Sequence, residues 1–198
     1  MDSAARHGLQ RLAAFVAVAN LGYFCVEFAV ASAIGSVSLF ADSADFLEDA
    51  SLNLLVLMAL GWSPRARARL GLVLAFLLLA PGLATVWTAW TRFTSPGAPD
   101  PGALGLTGLG ALAVNFGCAL LLARRRDHAG SLTKAAFLSA RNDVIASLAI
   151  IAAGAATALT HVRWWDLGVG LAIGAMNADA ARTIWRAARK EGRVAPAP

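Results

Sequence analysis

Apolar runs of about 20 residues, the length that crosses a hydrocarbon core of ~30 Å, recur six times along this chain. They lie at 10–33, 37–61, 69–91, 102–123, 132–158 and 165–188. Short polar or turn-forming stretches break them apart: "SPRARAR" (63–69), "TSPGAPDPG" (94–102), "RRRDHAGS" (124–131) and "THVRWWD" (160–166). Connections this short make sequential helices antiparallel neighbours. The pattern predicts an all-α membrane protein, one domain over 1–198 with six transmembrane helices. The closing "EGRVAPAP" is too short and Pro-rich to fold, so no soluble domain is expected. "AVASAIG" at 29–35 resembles a signal-peptide cleavage site, but its run is long, carries Glu27 and leads directly into a second span.

Composition agrees with the pattern. The chain is 58% hydrophobic and 15% charged, with mean hydropathy +0.63, too apolar for a wetted surface. The net charge of +5 does not point to nucleic acid, because Lys and Arg sit in clusters between apolar runs and not along one face. Those clusters set the orientation. With a cytoplasmic N-terminus, fourteen of the 17 basic side chains fall on the inner side; Arg92 and Arg163 fall outside, and Arg141 lies within a helix. Both termini are therefore expected in the cytoplasm, in a multi-pass protein of the inner membrane. Trp87, Trp90, Trp164 and Trp165 fall near outer helix ends and suit an interfacial belt or aromatic packing. Cys25 and Cys118 lie inside apolar runs, with no metal-type spacing.

The costly residues are the acids. Intramembrane carboxylates face a bundle interior or a water-filled cavity and are functional candidates by default. On the second helix Asp42, Asp45 and Asp49 fall within an arc of about 60°, and Glu48 points about 100° from Asp49. Asp45 and Asp49 lie roughly 12–18 Å below the outer end, at mid-bilayer. On the fifth helix, Ser139 and Asp143 share a face with Asn142 beside them at similar depth. Three carboxylates meeting there without a counterion would repel one another, so the site should hold protons or a divalent cation in their place. Such competition is the physical core of an antiporter. A structural reading stands beside this one: Arg141, on the opposite side of its helix, could neutralise Glu48 or Asp179 as interhelical ion pairs. Asp42, nearer the outer end, is expected either to cap a helix or to line an exit path. Asn20, Tyr23 and Glu27 form a polar stripe on the first helix that suits a permeation path or hydrogen bonding to neighbours.

Three segments, "GSVSLFADSADFLEDASLNLLVL", "KAAFLSARNDVIASLAIIAAG" and "WWDLGVGLAIGAMNADAARTIWRAARK", resemble the second, fifth and sixth helices of the cation diffusion facilitators, proton-coupled divalent-metal exporters. The resemblance spans nearly the whole chain. It implies a metal site of Asp45, Asp49 and Asp143, with Ser139 where the family usually has His or Asp and Asn142 or water as a replacement ligand. Oxygen-only donors are harder than the nitrogen-containing set that suits zinc, so manganese, iron and cobalt stand beside it; cadmium is a further related cargo that the resemblance implies. No permanently bound cofactor is expected; the metal is cargo, exchanged for protons. The resemblance also suggests a homodimer, which without a soluble domain would form through the helices, for instance at Gly105, Gly108 and Gly110 or at "GVGLAIGA". Two rivals remain. One is a transport-inactive metal-binding or regulatory subunit, suggested by Ser139. The other is a membrane enzyme, for which the chain shows no nucleophile with an adjacent base.

Overall fold

The computed structural model describes residues 3–59, 79–94, 97–123 and 130–177. The described residues contain helices and no strands. We label the helices α1 (Ser3–Ile34), α2 (Val37–Ala59), α3 (Leu79–Thr94), α4 (Pro101–Ala123), α5 (Gly130–Thr160) and α6 (164–177). Residues 69–78 of the expected third span and 178–188 of the sixth lie outside the described residues. Helices α1 and α5 run past their expected apolar limits, because backbone hydrogen bonding continues into polar flanking turns. Among the described residues Gln10–Ile34, Pro101–Ala123 and Asn142–Thr160 are long and apolar enough to cross a membrane. Helix α2 departs from that apolar profile through its four carboxylates.

The helices pair as α1 with α2 and α4 with α5, while α2 also touches α3 and α5, and α1 touches α4. Aromatic stacking fixes the antiparallel register of the first pair. Tyr23 meets Phe46 with ring centroids 5.0 Å apart, and Phe28 meets Phe40 edge-on at 5.3 Å. Small residues fix the second pair: a Cβ at Gly154 would lie 3.1 Å from the backbone of Gly105, and one at Gly108 would lie 3.0 Å from Ile150. Leu39, Phe40, Leu104, Ile150 and Ile173 meet in a core built from α2, α4, α5 and α6. The glycines offered as a dimer surface are partly consumed within the chain, since Gly110 is covered by the Tyr23 hydroxyl as Gly108 is by α5.

A two-residue corner joins α1 to α2, and every helix end there is satisfied. Gly35 takes a positive φ of 63°, and its N–H donates to Ala31 O at 2.8 Å, the glycine-terminated geometry of a helix C-terminus. The exposed carbonyls of Ile34 and Gly35 accept from the Arg92 guanidinium of α3 at 2.6 and 2.8 Å, a cation at the negative end of the helix. On the other side, Ser36 Oγ accepts from Leu39 N as an N-cap. The buried Asp166 of α6 accepts from Ser36 Oγ, Val37 N, Ser38 N and Ser38 Oγ. This cap corrects one expectation for Asp42: the α2 N-terminus is already occupied by Ser36 and Asp166, and neither carboxyl oxygen of Asp42 accepts from a backbone N–H. Helix α6 then runs beside α2 so closely that a Cβ at Gly170 would sit 2.6 Å from Val37 C.

Thermal unfolding in detergent should therefore rank three variants. Asp166→Ala strands several buried donors at once and should cost about 3 kcal/mol, against about 1 kcal/mol for Ser36→Ala. Gly170→Ala forces α6 from the α2 backbone and should cost about 1–3 kcal/mol.

Candidate functional site

Four carboxylates share one cavity of about 120 Å³ between α2, α5 and α6, lined by Asp45, Glu48, Asp49, Asn142, Asp143, Ala146, Ile173, Met176 and Asn177. The volume admits several waters, or a partly hydrated ion. Asp45, Asp49 and Glu48 come from successive turns of α2, and Asp143 faces them from α5. All four are half-buried, whereas Asn142 is exposed. The Asp49 and Asp143 side chains lie close enough to interact across the cavity. Among the described residues, no three His, Cys, Asp or Glu side chains converge to the distances of a metal-ion shell. The acids line the cavity without closing on its centre.

The scaffold around these acids is itself hydrogen-bonded. Ser147 Oγ donates to Asp143 O at 2.8 Å and accepts from Asn115 Nδ2 of α4 at 3.1 Å. Asn53 Nδ2 donates to Asp49 O at 2.8 Å, and Asn177 Nδ2 donates to Ala41 O at 3.2 Å, tying α6 to α2. Sequence reasoning missed Asn115, Ser147 and Asn177. The available signal was an amide or hydroxyl inside an apolar run, the same signal that selected Asn20 and Asn142. Next to the polar cavity, an apolar cleft between α5 and α6 shares Asn142, Ala146, Ile173 and Met176 with it.

Other expected residues lie elsewhere. Glu48, assigned from its angle to a separate contact, lines the same cavity as Asp45 and Asp49. Ser139 and Arg141 belong to α5, but their side chains lie outside the described residues, as does Asp179; the ion pairs expected of Glu48, Arg141 and Asp179 fall with them. Glu27 and Asp42 have no exposed surface and do not line the cavity, so in this conformation they border no open path. Asn20 is wholly buried, donating to Val16 O at 2.9 Å and to Cys118 Sγ at 3.9 Å. Tyr23 donates its hydroxyl to Thr107 O of α4. Asn20 and Tyr23 thus make interhelical contacts, the second of the two roles open to their stripe. His7 and His161 are exposed, while His128 lies outside the described residues.

A half-buried set of carboxylates and amides offers oxygen donors alone. Such donors suit a hard or borderline divalent cation, and among the described residues the cavity contains no nucleophile paired with a base. Asn115→Ala should loosen α5 at Asp143 and lower stability by about 1 kcal/mol, measured by thermal unfolding. The family model of the cation efflux transmembrane domain matches residues 13–191. No curated protein matches the chain.

Proposed function

The chain belongs to the cation efflux family, and on that footing we propose that it exports a divalent transition metal in exchange for protons, with Asp45, Asp49 and Asp143 holding the ion. Cation efflux across a membrane follows from the family itself; the metal, the coupling and the ligands are our reading. One observation supports it above the rest: carboxylates of α2 and α5 line one small cavity of about 120 Å³, on helices where a lone carboxylate is costly.

In this mechanism a cytoplasmic metal ion sheds part of its hydration shell, and the carboxylates draw inward around it as its charge cancels their repulsion. Asn142, Asn177, Ser139 or water complete the coordination. A change in helix packing then opens the cavity outward, where protons compete for the carboxylates and release the metal. The distribution of Lys and Arg supports cytoplasmic termini, and an inner-membrane setting is part of our reading. Zinc is the first cation to test, and the oxygen-only donor set makes manganese, iron(II) and cobalt direct comparisons, with cadmium as a further related cargo.

Flux into vesicles tests the site. Asp49→Ala should lower pH-driven zinc or manganese flux about tenfold or more, a factor that corresponds to ~1.4 kcal/mol of lost binding. Unchanged flux would remove Asp49 from the site. Metal binding must also weaken as pH falls, because protons occupy the same oxygens. Calorimetry at descending pH should show falling affinity and proton release on binding, and a pH-independent affinity would contradict carboxylate ligation. Saturating metal at about 100 times its dissociation constant should stabilise the wild type by ~2.7 kcal/mol by mass action, and should leave the Asp45→Asn/Asp49→Asn/Asp143→Asn triple variant unchanged.

A further inference from the structure

Outside the cavity, a second pair of acids is buried completely. Glu27 of α1 and Asp42 of α2 have no exposed surface and lie close enough to interact. Apart from each other, none of their four carboxyl oxygens has a hydrogen-bond partner. Their place in the α1–α2 register explains the dryness. Four residues along each helix lies the Tyr23–Phe46 ring pair, and toward the corner lies the Phe28–Phe40 pair. The two acids are thus closed between aromatic contacts on both sides. Among the described residues, the titratable groups around them are Tyr23 on α1, Asp45 on α2 and Asp143 on α5. All are acids, and the Tyr23 hydroxyl is committed to Thr107 O of α4.

Two adjacent carboxylates cannot both stay ionised there, because each would lack water, a donor and a counter-charge. A divalent metal fits poorly, since zinc asks for four ligands and harder cations for six or so, while the pair brings two carboxyls between ring contacts, with no other donor at them among the described residues. A proton fits, because one shared between the carboxyls supplies both the missing hydrogen bond and the missing charge. We propose that Glu27 and Asp42 form a proton-binding site, distinct from the metal cavity, that exchanges its proton during the transport cycle. The cyclic exchange rests on the efflux reading above; the presence of the proton does not. The coupling runs along α2, where Asp42 precedes Asp45 by one turn. A dication among Asp45, Asp49 and Asp143 favours the ionised pair, and its departure favours proton uptake. The proton leaves a carboxyl O–H for water when the α1–α2 contact loosens, and one returns from water when it closes.

Infrared pH titration of the purified protein in lipid nanodiscs, without metal, reads protonated carboxyls directly through their C=O band. The Asp45→Asn/Asp49→Asn/Asp143→Asn variant should keep a band from a water-shielded carboxyl; adding Glu27→Gln or Asp42→Asn alone should shift it, since the remaining acid keeps a proton of its own, and adding both should abolish it. A triple variant without the band, or a band that survives the two further substitutions together, overturns the proposal. Both substitutions are close to isosteric; where the combined variant fails to fold, a band that neither single substitution moves overturns it. A second arm adds zinc to the wild-type protein and to Glu27→Gln and counts released protons with a dye. Fewer protons per bound zinc in Glu27→Gln supports coupling, and an equal number overturns it. Failure of the wild type to bind zinc, manganese or cobalt would instead sink the efflux reading, while the infrared arm still judges the pair.

Discussion

A carboxylate in hydrocarbon must acquire a donor, a cation or a proton, and the arrangement of this protein follows from how each acid meets that demand. Three solutions coexist. Asp166 gains four donors at the N-terminus of α2 and becomes part of the scaffold. Asp45, Glu48, Asp49 and Asp143 keep access to a small cavity where water or a cation can reach them. Glu27 and Asp42 are closed off with no partner but each other, which leaves a proton as the ligand of least cost.

These solutions are linked mechanically through α2. Its outer end is held by Asp166, by the close approach of Gly170 to Val37 and by Asn177 at Ala41. Helix α1 is held at the same corner by Arg92. Tight anchoring at the outer corner leaves the deeper turns of α2, where the cavity lies, as the part free to shift against α5. A transporter needs this division, because a site that opens to either side must move relative to something that stays fixed.

Much of the architecture is legible in the sequence. The six apolar runs place the helices, since a hydrocarbon slab of fixed thickness imposes one length on every span. The acids announce themselves as chemistry, because nothing else accounts for carboxylates within those runs. Helical angles within one element, however, misassign two of them. Asp42 and Asp49 point in nearly the same direction, about 20° apart, yet Asp42 meets α1 while Asp49 meets the cavity. Glu48, at a divergent angle, joins the cavity. Two turns separate Asp42 from Asp49, and over that rise the neighbour of α2 changes from α1 to α5 and α6.

The chain by itself thus determined the number of the helices and which of its acids fall within them, because these follow from distance along one helix and the energy of burial. Only the tertiary structure decided which acids share a cavity and which are sealed in pairs. That choice depends on rotation and register between helices. Both are set by close backbone approaches at Gly154 and Gly170 and by the caps at the α1–α2 corner, contacts between residues far apart in sequence whose pairing no local pattern encodes.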